Sequence, residues 1–385
     1  MYKCISCCVF LSFCSISFIA LVFPLSISIR LHALFIRFSS SDMYSKYGTY
    51  GKTAKKLRDT REHALISKCP PSMPPHVAQI NAGGGRIVLS QHEGNAVFSE
   101  LSSTYPLKLL SPRVHQRCVA IVYACSYGGG LVGGDQVHLS TEINQGAILV
   151  LLSQGSTKVF KTRAEQRLAS VPSLFPKDVS SSTATPNTTQ KMDFKVSSNA
   201  VLAVLPDPVT CFRSSSYTQI QTFHLAKDAS AVVLDWITSG RRSLGEEWVF
   251  ERYSSVNEIF VDEKRVARDV VVLEAETGTE NLIRVQRTLA DRMRPYSCYA
   301  TVLLTGPAME SIVEGIKGEY EKISVMKAYS PQELLWSLSP IQNSGSGAIV
   351  RVAGKDTELV KEWLRNSLSR LEDLVGADVY RRAFV

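Results

Sequence analysis

The chain has 385 residues, of which 45% are hydrophobic and 20% charged, and its formal net charge is +8. This composition is typical of a globular protein and excludes an intrinsically disordered one. The charge does not indicate a nucleic-acid partner, because residues 1–72 hold ten Lys/Arg against three acids while the remainder holds 33 against 32.

Residues 1–38 form a hydrophobic leader, with no charge between Lys3 and Arg30. About 20 apolar residues span a bilayer, so residues 4–29 are long enough for a membrane anchor. The alternatives are a secretory signal, or a gene-model artefact with a later start at Met43 or Met73. Residues 39–82 are rich in Ser, Lys, Gly and Pro and are predicted to be a flexible linker.

The cysteines of the remaining domain, residues 83–385, are few and far apart in sequence. They show neither a disulfide framework nor a zinc-ribbon spacing: Cys118, Cys125, Cys211 and Cys298. This pattern favours a reducing compartment, and with it a cytoplasmic location over export.

Short β-type runs dominate this domain, and several alternate in polarity as half-buried antiparallel strands do. A low-complexity stretch at about 168–192 is predicted to be a disordered insertion between two strands. Helical spacing appears twice near the C-terminus, around a predicted strand at Ala348–Val352. The fold class is therefore mainly β, with a small C-terminal α/β element of about two helices. The predicted strands are Gly85–Ser90, Ala96–Ser102, Leu107–Ser111, Cys118–Cys125, Gln136–Glu142, Ala147–Ser153, Thr157–Thr162, Phe194–Val204, Ser216–Leu225, Ser230–Ser239, Glu247–Tyr253, Val256–Val261 and Lys264–Glu274, and the predicted helices are Ala308–Lys322 and Asp356–Val375.

A glycine-rich stretch, Tyr127–Asp135, formally matches the dinucleotide pattern G-x-G-x-x-G. That pattern binds a pyrophosphate only when a helix N-terminus follows. Here residues 136–142 alternate in polarity, which predicts a strand. The stretch is therefore predicted to be a loop between two strands, and an NAD(P)-dependent oxidoreductase is the less favoured alternative. The glycines of this structural loop are Gly128, Gly129, Gly130, Gly133 and Gly134.

Three further motifs follow in order. They are Gln-Gly-Ser-Thr-Lys-Val-Phe-Lys at 154–161, Leu-Pro-Asp-Pro-Val-Thr-Cys-Phe at 205–212, and Trp-Ile-Thr-Ser-Gly-Arg-Arg-Ser-Leu-Gly-Glu-Glu at 236–247. With the glycine motif, this ordered set resembles the UreD (UreH) urease accessory proteins in a eukaryotic, fungal form. The resemblance runs from about Gly84 to the C-terminus.

The resemblance implies a non-enzymatic scaffold of solenoid-like, β-helical architecture. Such a scaffold binds UreF directly, recruits the UreG GTPase through UreF, and docks on the urease apoprotein within a dimeric hetero-complex. Nickel(II) is implied as transient cargo passing through a polar internal passage, with no permanently bound cofactor and no tight metal site. The seven histidines show no H-x-x-x-H or H-x-H spacing, and isolated carboxylates and hydroxyls bind nickel weakly. A membrane contact is expected only if the leader is retained. A membrane-anchored interaction protein is therefore a third functional hypothesis, beside the accessory scaffold and the oxidoreductase.

Carried over by motif position, the resemblance implies a functional role in nickel passage for five residues. Without it, each has a plainer interpretation, such as a turn for Asp135 or a surface ion pair for Glu246. No catalytic residue is expected. The candidates are Asp135, Thr157, Lys158, Asp207 and Glu246.

Overall fold

The computed structural model describes residues 80–161, 187–275, 287–323, 332–341 and 347–384. The leader at 1–38, most of the linker at 39–82 and most of the insertion at 168–192 lie outside these ranges. Residues 188–192, which the predicted insertion included, belong to a strand. Within these ranges, no helix is long and apolar enough to cross a membrane.

The described residues form seventeen strands and five α-helices. The strands are β1 Gly84–His92, β2 Asn95–Ser103, β3 Leu107–Leu110, β4 Val119–Ser126, β5 Gln136–Ile143, β6 Ile148–Ser153, β7 Thr157–Val159, β8 Thr188–Val196, β9 Val201–Val204, β10 Val209–Cys211, β11 Ser216–Leu225, β12 Ser230–Thr238, β13 Arg252–Val261, β14 Lys264–Glu274, β15 Cys298–Thr305, β16 Leu334–Ile341 and β17 Gly347–Gly354. The helices are α1 Leu289–Met293, α2 Glu310–Glu321, α3 Thr357–Ser367, α4 Glu372–Val375 and α5 Ala377–Ala383.

The strands pair into two sheets. One has the order β14-β13-β11-β8-β5-β1-β2, and the other the order β16-β17-β15-β12-β9-β6-β4-β3, with β10 and β7 attached beside β12. Pairing is parallel from β13 to β1 in the first sheet and from β12 to β4 in the second. The outer strands pair antiparallel.

The chain alternates between the two sheets in the parallel region, from β4 to β5, β6 to β8, β9 to β11 and β12 to β13. Because parallel strands end at one edge of a sheet, all four connections start and finish at one end of the stack, here named the loop end. These connections are residues 127–135, 154–187, 205–215 and 239–251.

The return connections are three turns of four residues each, at the opposite or turn end: 144–147, 197–200 and 226–229. Each finishes on a buried alanine. The turns are bonded through the backbone to the ends of adjacent strands, since Ser197 N donates to Ile143 O at the end of β5 and Ala226 N to Val196 O at the end of β8, both at 2.9 Å. The turns therefore pin the register of neighbouring strands.

Two hydrophobic cores hold the layers together. The first lies between the sheets, where inward residues alternate along the strands and Phe194 stacks on Phe223 at 4.9 Å. The second lies between the outer face of the larger sheet and the C-terminal helices, and includes Ile312, Val360 and Leu364. Each fully buried Leu or Ile side chain contributes about 1.5–3 kcal/mol, so the helices stabilise the larger sheet.

The mainly β prediction is confirmed, but the prediction of about two helices is wrong. Both predicted helices exist, as α2 and α3, and three shorter ones join them. The second ends at Ser367 instead of Val375. The predicted strand Phe194–Val204 is divided by a turn, and residues 247–251 of the predicted strand Glu247–Tyr253 are not in a strand.

Candidate functional site

The four sequence motifs meet at the loop end. The glycine motif is the β4–β5 connection, and the other three lie at or within the connections that follow β6, β9 and β12. Residues more than 100 positions apart in sequence thus share one surface. This grouping follows from parallel pairing and was not evident from the spacing of the motifs.

The glycine motif forms a loop between two strands, as predicted. A short 3₁₀ turn at Tyr127–Gly129 is followed by a β-bridge at Leu131, by a turn at Gly133–Gly134 and then by β5, without an intervening α-helix. A helix N-terminus that would hold a pyrophosphate is therefore not formed by this motif.

The loop is fastened to β7 by its backbone. Leu131 N donates to Lys158 O at 2.8 Å, and Phe160 N donates to Leu131 O at 2.9 Å. A Cβ on Gly130 would lie 2.5 Å from Lys158 O and 2.6 Å from Phe160 Cε2. Glycine is therefore required at 130 by close approach rather than by a left-handed conformation.

Asp135 is a buried structural element of this loop. One carboxylate oxygen, Oδ2, accepts from Val132 N at 2.8 Å. Burial raises the pKa of Asp135, and the bond from Val132 opposes that rise. The loop contacts the Thr157–Lys158 segment through Leu131 rather than through this carboxylate.

The second and third motifs are bound to each other. Thr157 N donates to Pro208 O at 3.1 Å, and Asp207 Oδ2 accepts from Gly155 N at 2.9 Å. Burial raises the pKa of Asp207, whereas the Gly155 bond, Lys361 and Ser153 lower it. The Lys158 side chain is exposed, and its ammonium has donors but no acceptor, so it acts on a cation through its charge and not as a ligand.

Glu246 is clamped by arginines. Arg241 donates from Nε and Nη2 to its two oxygens, each at 2.8 Å, and Arg213 lies 3.6 Å away. The Arg241 guanidinium stacks on Phe212, 4.1 Å from the ring centroid. The hydrogen bonds from Arg241 hold the pKa of Glu246 below its ordinary value, so this carboxylate is ionised and already occupied.

We expect Glu246→Gln to weaken the acid dependence of stability. A carboxyl whose folded pKa is depressed stabilises the fold above its unfolded pKa of about 4.5, and this stabilisation is lost as pH falls through the folded pKa. The melting temperature of the wild type should therefore fall more between about pH 7 and about pH 3.5 than that of the variant. Glu247→Gln, which removes an exposed partner of Arg242, is the control. If the melting temperatures of the wild type and of Glu246→Gln fell equally on acidification, the stabilising role of the Arg241–Glu246 pair would be contradicted.

A pocket of ≈ 260 Å³ at the loop end is rich in hydroxyl groups. Thr210 Oγ1 and Thr238 Oγ1 lie 3.0 Å apart there. Ser239 Oγ is buried and has no hydrogen-bond partner among the described residues. Such a group suits an ordered water or a polar guest.

A buried polar cluster lies between the sheets and was missed by the sequence analysis. Its centre is Asp235 on β12, whose carboxylate accepts four hydrogen bonds at 2.5–3.2 Å from side chains of β11 and β13. Burial raises the pKa of Asp235, and the bonds from Ser255, Asn257 and Tyr253 lower it. The four donors are Gln219 Nε2, Tyr253 OH, Ser255 Oγ and Asn257 Nδ2.

These polar side chains form three rows leading inward from the loop end. Strand register pairs Tyr217 with Tyr253, then Gln219 with Ser255, then Gln221 with Asn257 and Asp269. In the third row three acceptor oxygens have no hydrogen-bond partner among the described residues: Gln221 Oε1, Asn257 Oδ1 and Asp269 Oδ2. The other Asp269 oxygen pairs with Arg351. Acceptors grouped in this way suit water or a cation.

A sequence signal for this cluster does exist. Asp235 interrupts an otherwise apolar run, Ala231–Ile237, and a carboxylate inside a core strand needs partners. The partners of Asp235 cannot be found from one sequence, because the register of the neighbouring strands decides which side chains lie beside it. No group of three or more His, Cys, Asp or Glu side chains suited to a metal occurs in the part of the chain that the structure describes.

Comparison with known proteins identifies the family. The sequence profile of the family described as "UreD urease accessory protein" matches residues 81–383. "Urease accessory protein 4" of Cryptococcus neoformans var. grubii is 36% identical over 328 residues, which cover 82% of this chain and 98% of the relative. "Urease accessory protein D" of Oryza sativa subsp. indica is 30% identical over 325 residues, covering 79% and 97%. "Urease accessory protein UreD" of Sorangium cellulosum is 33% identical over 304 residues, covering 78% and 84%. The matched region contains both sheets and all four motifs, and the chain belongs to the UreD urease accessory protein family.

Proposed function

We propose that this chain is a non-enzymatic scaffold in the maturation of urease. The family match and the names of its relatives support the role. The observation that carries the nickel part of the proposal is the set of polar rows between the sheets, which begin at the loop end. The alternation of the chain between two parallel-centred sheets supports a solenoid-like description.

We propose nickel(II) as transient cargo of this polar interior. Hydroxyl, amide and single carboxylate oxygens bind nickel less tightly than clusters of His and Cys do, which favours release to an acceptor protein. Asp235 and the unpartnered oxygens of the third row are the interior candidates. Asp207, Thr157 and Glu246 lie at the loop end, where Glu246 would have to leave Arg241 before binding a cation.

The proposed partners are other proteins of the same process. The chain binds UreF directly, meets the UreG GTPase through UreF, and docks on the urease apoprotein in a dimeric hetero-complex. Support for these partners comes from the family resemblance. We place this step of urease maturation in the cytoplasm. A membrane-anchored form would depend on residues 4–29, which lie outside the described ranges.

A dinucleotide-dependent oxidoreductase is less well supported. The glycine motif is followed by β5, and the backbone of Leu131 is committed to β7. No observation at the loop end favours hydride chemistry over scaffolding.

Deletion of the gene tests the proposal. We expect the urease polypeptide to accumulate normally, with little bound nickel and little activity, because the apoprotein is made but not loaded. Urease amount would be measured by immunoblot, nickel by mass spectrometry of purified urease, and activity by ammonia release. Re-expression of the full chain should restore nickel and activity together. Fully active, nickel-loaded urease in the deletion strain would refute the role.

A further inference from the structure

A pocket of ≈ 450 Å³ lies at the loop end between the glycine motif and the last motif. Phe160 and Phe212 contribute aromatic walls and meet edge to face at 5.1 Å. Its position beside four motifs of an assembly protein makes it a candidate surface for a partner. The remaining lining residues are Gly128, Val132, Lys161, Arg213, Arg241 and Glu246.

The charge of this pocket is unbalanced. Among the lining residues that the structure describes, three cations, Lys161, Arg213 and Arg241, face one acid, Glu246. Arg241 is held in place by two bonds to Glu246 and by Phe212. A guanidinium carries five N–H donors, and Arg241 uses only two of its nitrogens on Glu246. Arg213 lies farther from Glu246, at 3.6 Å, and its side chain is 58% exposed. The site can therefore accept one more carboxylate.

Exposed apolar side chains stand close in sequence to the lining residues, and one of them, Val132, is itself a lining residue. Tyr127, Val132 and Leu244, here named the rim, are exposed to 49%, 42% and 62% of their surface. They belong to two of the four connections that line the pocket. A Cβ placed on Gly128 or Gly129 would meet no atom within 4 Å. The described residues thus leave room for a polypeptide backbone to approach the loop.

We propose that this pocket and its rim bind an acidic, apolar segment of a partner protein. A Glu or Asp side chain of that segment enters between Arg213 and Arg241, and neighbouring apolar residues cover Tyr127, Val132 and Leu244. The charge excess selects an acid, and the exposed apolar rim selects a polypeptide over a free anion. The inference rests on the proposed function in one respect, because it takes the partner from the proteins of urease maturation.

Charge reversal at Arg213 tests the pocket. The full chain and its Arg213→Glu variant would be titrated against purified urease apoprotein and the other urease accessory proteins of the same organism. We expect affinity for one of them to fall about tenfold or more, with a weaker dependence on salt than the wild type shows. Arg268→Glu is the matched control, because Arg268 is 52% exposed and pairs with Glu258 on the seven-stranded sheet. Its affinity should be unchanged.

A photo-crosslinking residue in place of Leu244, in an otherwise wild-type chain, gives a readout that does not depend on the folding of the charge variant. The crosslinked partner peptide should contain Asp or Glu beside apolar residues, and reversing that acid to Arg should restore binding to Arg213→Glu. Unchanged affinity of Arg213→Glu, a crosslinked peptide without acids, or full competition by inorganic phosphate would each overturn the inference. The wider function would survive those results if gene deletion still left urease without nickel, so the two failures are distinguishable.

Discussion

Replacing Asp235 by alanine is expected to lower the free energy of unfolding by about 3 kcal/mol or more, because four buried donors lose their common acceptor. The affected donors lie on β11 and β13, so the seven-stranded sheet is loosened from β12. Denaturant unfolding followed by circular dichroism would measure the change. Asp373→Ala on the surface of α4 is the control, with an expected change within about 0.5 kcal/mol. A similarly small effect at Asp235 would contradict the central place of its carboxylate.

Asp235→Asn separates charge from hydrogen bonding. Because the folded pKa of Asp235 is raised above its ordinary 3.8, the folded protein keeps a proton that the unfolded chain has lost. Stability therefore falls as pH rises through the window between those two pKa values. The asparagine variant should lack this fall, and its loss of stability near neutral pH should be smaller than that of alanine, since one acceptor oxygen remains.

Replacing Gly130 by alanine is expected to be the second large effect. The added Cβ would overlap Lys158 O and Phe160 Cε2, so the glycine loop must move away from β7 and lose its two backbone bonds at Leu131. Overpacking of this kind costs about 1–3 kcal/mol. β7 also pairs with β10, so the displacement reaches a second motif. We therefore expect the Gly130→Ala variant to have a lower melting temperature, and to fail to restore urease activity when it is expressed in the deletion strain.

Gly129→Ala is the control for that substitution. Gly129 has φ +80°, and a Cβ added to it would have no atom within 4 Å, so alanine meets only conformational strain of about 1 kcal/mol. The two variants differ by one position and share one added methyl group. If both lowered stability equally, close approach to β7 would not be the reason for glycine at 130.

Much of the β architecture could be predicted because inward and outward residues alternate along strands such as β11. The failures have local causes. No glycine or proline marks the turn that divides β8 from β9, and the turn instead uses Asn199 at φ 56°. Trp248 at φ 55° prevents a strand in a stretch whose side chains favour one. The second predicted helix continues in amphipathic spacing past Ser367, although its backbone turns through 3₁₀ geometry at 369–371.

The candidate site was predictable in its motifs but not in its contacts. The order of the four motifs indicated the family, and the predicted strand after the glycines made a pyrophosphate site the less favoured interpretation. The clamp on Glu246 also lies within one motif, since Arg241 is only five residues away. By contrast, the cluster around Asp235 brings together side chains from Gln190 to Asp269 through the register of both parallel and antiparallel strand pairs. One sequence does not show that register.

The three four-residue turns restrict where extra residues can be inserted into the chain. Each turn is bonded to the end of an adjacent strand. A residue added there that slipped a strand by one position would reverse which side chains point into the core. At the loop end the connections already differ widely in length, from residues 127–135 to residues 154–187. A tag or an inherited extension is therefore expected to disturb strand pairing less at the loop end than at the turn end, provided that it leaves the backbone bonds between the glycine loop and β7 intact.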